Sequence, residues 1–139
     1  MADNLFSTDV DSDKIYKHSG FSSTIISSFS SPSSSSRGLT WDGNNIYSSD
    51  SSPLKIYKHS GFSSTIISSF DSPGWGPRGL TWDGSNIYST DSSSDKIYKH
   101  SGFSSTILSS FSSPSTSPQG LTWETAAGGT AFTPKVMFF

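Results

Sequence analysis

An all-β chain built from stacked four-stranded units is the fold the sequence predicts, on three observations. The segment KIYKHSGFSSTI begins at Lys14 and recurs at Lys55 and Lys96, and the tryptophans of GLTW fall at Trp41, Trp82 and Trp123, so the chain repeats every 41 residues. Each period holds four short runs rich in β-branched and aromatic residues, separated by Gly, Pro, Asn, Asp and Ser, the pattern of strands joined by tight turns. No window sustains the apolar spacing of an amphipathic helix.

The middle copy assigns the elements in order. GLTW at 38–41 is strand A, followed by the turn Asp42-Gly43-Asn44. NIYS at 45–48 is strand B, followed by Asp50-Ser51-Ser52-Pro53. KIYK at 55–58 is strand C, then Ser60-Gly61 turns the chain into strand D, STIISSF at 64–70. A Pro- and Gly-rich loop, 71–77, leads to the next copy. A four-stranded antiparallel unit of about 40 residues, repeated in tandem, is the sequence form of a β-propeller blade. Such a unit cannot bury its apolar faces alone and must stack on its neighbours.

The stretch PRGLTWDGSNIYSTDSSSDKIYKHSG, residues 77–102, resembles the NHL class of propeller repeat. That class reads Pro-x-Gly-hydrophobic, then Asp-Gly, then a strand ending in Asp, then a basic-Ile strand. The resemblance covers residues 2–123 and implies blade geometry, while naming no ligand. A GH…WD signature is absent, which argues against the WD40 class.

The phase of the repeat predicts assembly. Asn4-Leu5-Phe6-Ser7 aligns with strand B of the later copies, and Gly120-Leu121-Thr122-Trp123 aligns with strand A. Residues 1–124 therefore read as three tandem blades, starting at strand B and ending at strand A, with 125–139 a non-repeating apolar tail. Three blades are too few for a ring, since propellers have at least about four. A homodimer closing as a six-bladed ring is expected, six also being the usual number in the family resembled. In it, residues 120–123 of one chain complete the sheet formed by 4–29 of the other. A nine-bladed trimer, a filament whose contacts never close, and a fragment of a longer propeller are the alternatives.

Composition supports order and excludes several partners. Hydrophobic residues make up only 31% and the chain holds 37 serines, which alone would suggest disorder. The serines, however, sit between regularly spaced Ile, Tyr, Phe and Trp, and aromatics reach 14%. A net charge of −2 with no basic run argues against nucleic acid. No segment is long and apolar enough to span a bilayer. The absence of cysteine removes disulfides and thiol chemistry. The opening MADNLFSTDV lacks the pattern of a signal peptide, and the compartment stays open, an extracellular one included. No Asn-x-Ser/Thr sequon occurs.

Candidate contact residues lie in the loops. Only the middle D–A loop carries Gly74-Trp75-Gly76, and Trp75 either stacks on a sugar ring or partner, or packs over a neighbouring blade. Arg37, Arg78 and Gln119 precede strand A, the innermost strand of a blade. They line the mouth of a central channel and attract an anion, or they lie along the blade surface. Expected interface residues are Asn4, Leu5 and Phe6 at one end, Gly120, Leu121, Thr122 and Trp123 at the other, and Val136, Met137, Phe138 and Phe139 in the tail.

Other repeated residues read as structural. Asp9, Asp50 and Asp91 end strand B and are expected to accept turn amides. Asp9, Asp11 and Asp13 open like a calcium loop, but Lys14 and Gly20 stand where such a loop needs its glycine and glutamate. His18, His59 and His100 fall on separate blades, too far apart to share a metal. No cofactor is expected. The function expected from the sequence is a non-enzymatic, self-assembling binding or interaction module, lectin-like in one version. The alternative is a structural subunit of a larger assembly or extracellular filament.

Overall fold

The structure, a computed structural model, describes residues 3–124. The tail at 125–139, with the expected contacts Val136, Met137, Phe138 and Phe139, lies outside the described residues. Among the described residues eleven strands form three antiparallel meanders. The first comprises β1 (Leu5–Asp9), β2 (Lys14–His18) and β3 (Ile25–Ser30). The second comprises β4 (Ser36–Trp41), β5 (Ile46–Ser51), β6 (Leu54–His59) and β7 (Ile66–Asp71). The third comprises β8 (Pro77–Trp82), β9 (Ile87–Asp91), β10 (Lys96–His100) and β11 (Ile107–Ser112). The chain is all-β, and its three sheets are propeller blades.

Local chemistry sets each hairpin. Between β4 and β5, Asp42 Oδ1 accepts the N–H groups of Asn44 and Asn45 at 2.8 and 2.7 Å. Gly43 takes φ of 103°, which a residue with a side chain resists. Asp83 repeats the arrangement between β8 and β9. The second oxygen of Asp42 accepts the Tyr47 hydroxyl at 2.7 Å. Burial pushes Tyr47 upward from its ordinary pKa and the Asp42 carboxylate adds to the shift, so the phenol stays protonated.

Burial falls from the inside of each blade outward. In β5 every residue from Ile46 to Asp50 is buried, because the neighbouring blades cover both of its faces. In β7, the outermost strand, only Phe70 is partly covered. Between the second and third blades Tyr47, Ile56, Leu80 and Ile87 form the core, with Phe70, Trp82 and Phe103 packed against it.

Adjacent blades touch backbone to backbone at their inner strands. A side-chain carbon at Gly38 would overlap the Arg78 carbonyl, and one at Gly79 would overlap the Gln119 carbonyl. Only glycine permits that approach. Aromatic side chains fill the space farther out. Phe6 stacks against Trp41 and Phe62, each at 5.2 Å, and Phe62 also meets Phe29 at 4.7 Å. One repeat later Tyr47 meets Trp82 and Phe103, and Phe103 meets Phe70 at 4.7 Å.

Residues 119–123 continue this series beyond β8 without a sheet. The Gln119 carbonyl accepts the Thr90 hydroxyl at 3.1 Å, and Trp123 stands edge-on to Tyr88 at 4.9 Å. Among the described residues they form no ladder.

Candidate functional site

Two surfaces and one pair of open ends concentrate the unusual residues. The first surface is the axial cavity. In β4 the pairing shifts between Ser36↔Asp50 and Leu39↔Ser48, so Arg37 and Gly38 together stand opposite Ser49. This is a β-bulge, and Arg78-Gly79 repeats it in β8. The Gly38 amide, displaced from the ladder, donates instead to the Ser49 hydroxyl at 2.9 Å. Ser49 in turn donates to the Arg78 carbonyl at 2.7 Å.

The bulges bring Arg37, Arg78 and Gln119 onto one cavity of about 490 Å³. Arg78 is held there by its Nε–H, which donates to Ser92 Oγ at 3.1 Å. Asp9 and Asp11 stand on the same wall. Two acidic residues therefore share the lining with the two arginines, and the field is less positive than the arginines alone suggest. A second cavity of about 330 Å³ runs between Phe6, Ser7 and Thr8 on one side and Gln119, Gly120 and Leu121 on the other.

The second surface carries Trp75, which is 81% exposed. Its amide donates to Ser93 Oγ at 3.0 Å, and the flanking Gly76 amide donates to Asp91. The indole borders a groove with Pro53, Leu54, Lys55, Asp71 and Pro73. Lys55 and Asp71 pair there at 2.8 Å. This groove shares no residue with the axial cavities, so Trp75 is separate from Arg37, Arg78 and Gln119.

The repeated carboxylates hold loops. Asp91 accepts the amides of Ser93, Ser94 and Gly76 and the Ser93 hydroxyl. Burial by itself pushes Asp91 upward, but these bonds outweigh it and hold the carboxyl below its ordinary value. Asp50 accepts Ser33 Oγ and the Ser52 amide. Asp9 accepts the amides of Asp11 and Ser12 and is exposed. Among the described residues, no group of three or more His, Cys, Asp or Glu side chains comes together as a metal site would require.

Sequence reasoning missed a Ser–His pair in every blade. His59 Nε2 lies 2.9 Å from Ser48 Oγ, and its Nδ1 lies 2.9 Å from the Ser63 carbonyl. A carbonyl only accepts, so Nδ1 carries the proton and Nε2 accepts from the serine. His100 repeats this with Ser89 and Ser104. Both pairs are sealed from solvent. Ser7 and His18, 2.8 Å apart, are the partly exposed version, and Ser7 borders the inner axial cavity. The 11-residue spacing across a hairpin was visible, but so many serines hid it.

The ends of the array are open. Leu5 is exposed on β1, which among the described residues has no neighbour on its inner edge. Asn4 Oδ1 accepts the Gly20 amide, and Phe6 packs on Trp41 and Phe62. At the other end Gly120 has no described residue within 4 Å of where a side chain would begin, unlike Gly38 and Gly79. Leu121 lines the inner cavity, Thr122 follows it, and Trp123 covers Tyr88.

No family profile matches the chain, and no curated protein matches it. Solved structures do, and they are propellers. Glutaminyl cyclase from Myxococcus xanthus superposes with a TM-score of 0.72 at 14% identity, over 91% of this chain and 61% of that one. U3-55K gives 0.63 at 20% identity, over 86% and 38%. BamB from Moraxella catarrhalis gives 0.56 at 11% identity, over 81% and 34%. The chain thus spans 61% or less of the length of these neighbours. Identities this low establish the propeller fold alone. One sequence expectation is corrected here. A non-enzymatic role was expected, but the glutaminyl cyclase is an enzyme carrying this fold, so repeated blades are no argument against catalysis.

Proposed function

We propose that the chain is a self-associating propeller subunit of NHL-like repeats that serves as a binding or interaction module. The observation that supports this reading is the pair of unfinished ends. Among the described residues β1 has an open inner edge, and residues 119–123 occupy a strand A position without a sheet. An unpaired strand edge beside apolar surface favours association.

Two copies satisfy both ends. β8 pairs with β9 through Leu80↔Ser89, Thr81↔Tyr88 and Trp82↔Ile87. The same alignment, carried forward by the repeat, sets Leu121 of one copy opposite Ser7 of the other, Thr122 opposite Phe6, and Trp123 opposite Leu5. A two-fold axis then closes six blades into a ring. The axial cavity would receive Arg37, Arg78 and Gln119 from each copy, and the Trp75 groove would appear twice on the rim. A saccharide is the ligand class that an exposed indole beside a polar ion pair suits best.

The test is the solution mass by light scattering. A dimer is the expected result. Fibres or a polydisperse species transfer the reading to a structural filament, in which the same contact never closes. A monomer at concentrations of about 100 μM, far above a typical oligomer Kd, sinks both.

A further inference from the structure

Phe21 is 97% exposed, although its two repeat equivalents are packed. Phe62 of the second blade reaches back onto the first and sits against Phe6 and Phe29. Phe103 of the third blade reaches back onto the second and sits against Tyr47 and Phe70. The contact is the same both times. A C–D turn holding Ser-Gly-Phe points its ring into a socket made by one aromatic from strand B and one from strand D. The histidine that ends strand C closes the socket, with His59 at 5.3 Å from Phe29 and His100 at 5.1 Å from Phe70.

Among the described residues one socket and one knob are left over. The unfilled socket lies on the third blade, between Tyr88 and Phe111. Phe111 is 62% exposed, whereas its equivalents Phe29 and Phe70 are partly buried. Trp123 already covers Tyr88, as Trp82 covers Tyr47, so the remaining vacancy is the position that Phe62 and Phe103 fill elsewhere. The unused knob is Phe21, with His18 beside it on the first blade.

We infer that Phe21 of one copy inserts between Tyr88 and Phe111 of a second copy, with His18 against Phe111, as the specificity contact of a head-to-tail junction. The inference rests on the self-association proposed above and deepens it. Strand completion alone relies on main-chain bonds that any strand edge offers. The aromatic knob selects a second copy of this chain, because the socket's dimensions are those of the chain's own internal junctions. The contact is heterologous, so each copy brings a knob at one end and a socket at the other.

The test uses the full chain and measures its association constant by sedimentation equilibrium. Phe21→Ser removes the knob, and Phe111→Ser alters the socket from the other side. Both positions are exposed, so the circular dichroism of the single chain is expected to stay that of the parent. Each variant is expected to weaken association by at least about tenfold. An equimolar mixture of the two is expected to associate more tightly than either alone. In a mixed pair one junction is wild type, while the two defects share the other junction and are not additive. Parental association in either variant overturns the inference and leaves the proposed ring standing. A mixture no tighter than its components also overturns it, because the two residues then do not meet. A parent chain that stays monomeric overturns both proposals together. If one variant fails to fold, the other decides.

Discussion

The Ser49 hydroxyl donates to the Arg78 carbonyl at 2.7 Å, and this bond ties the second blade to the third. The same oxygen accepts the Gly38 amide at 2.9 Å, so one hydroxyl serves a bulge in its own sheet and the inner strand of the next. Thr90 does the same between Gly79 and Gln119. A hydroxyl has one donor and room to accept, which is what a buried amide and a buried carbonyl need when they cannot meet directly. The serines that make the composition look disordered are, at these positions, the joints between blades.

Ser49→Ala leaves the Gly38 amide and the Arg78 carbonyl buried without partners. The expected loss is about 1–3 kcal/mol of unfolding free energy, read from urea denaturation. Ser49→Thr keeps the hydroxyl, as Thr90 does naturally, and is expected to retain most of it.

Gly38→Ala and Gly120→Ala are expected to behave differently although they change the same repeat position. At Gly38 the added carbon meets the Arg78 carbonyl, with an expected cost of about 1–3 kcal/mol from overpacking. At Gly120 it meets nothing among the described residues. Thermal unfolding of dilute protein should separate the two. Equal losses would contradict the close approach of β4 to β8.

Burial holds His59 and His100 below the ordinary histidine value, and the Nδ1–H bond to a backbone carbonyl offsets this only in part. The folded chain therefore keeps both rings neutral, and unfolding takes up protons between the folded and free values. Stability is full above the free value, about 6.5, and falls as pH drops through it toward the depressed folded values. Urea midpoints measured at about pH 7.5 and about pH 5.5 should differ, with less difference in a His59→Gln, His100→Gln double variant.

Asp91 has the second acid limb. Its carboxyl is depressed in the folded chain by hydrogen bonds that outweigh burial, so its contribution is complete above the ordinary aspartate range near pH 4 and is lost below it. Asp91→Asn cannot accept four bonds in the same way. It is expected to lower stability at neutral pH and to flatten the dependence below about pH 4, as followed by acid titration of circular dichroism.

Trp75→Ala is expected to leave the melting temperature within about 1–2 °C of the parent, since an exposed side chain contributes little. Binding to a glycan array, if it occurs at the Trp75 groove, should be lost in this variant. Retained binding would move the saccharide site to the axial cavity.

The blades were legible because their signal is repeated. Tyr47, Ile56, Phe70 and Trp82 recur with the turn residues that separate them, and the structure packs all four at one junction. The site was less legible. That Arg37 and Arg78 precede strand A could be read directly, yet Asp9 and Asp11 share their cavity through a contact distant in sequence. The Phe21, Phe62 and Phe103 series was visible as a period, but a period does not say which blade a side chain reaches. Only the ring distances reveal that Phe62 and Phe103 pack backward onto the preceding blade.

The near-identity of the junctions also bears on how the chain finds its fold. Each strand A carries the same GLTW, and the strand B aromatics differ only as Phe6, Tyr47 and Tyr88. β4 would therefore find β9 nearly as acceptable a partner as β5. Energy discriminates weakly among these pairings, so connectivity must. The short Asp42 and Asp83 turns close their hairpins at small entropic cost, whereas a pairing that skips a blade must close a much longer loop. Lengthening either turn would erode that advantage and populate kinetic traps in which blades exchange strands, within one chain or between two.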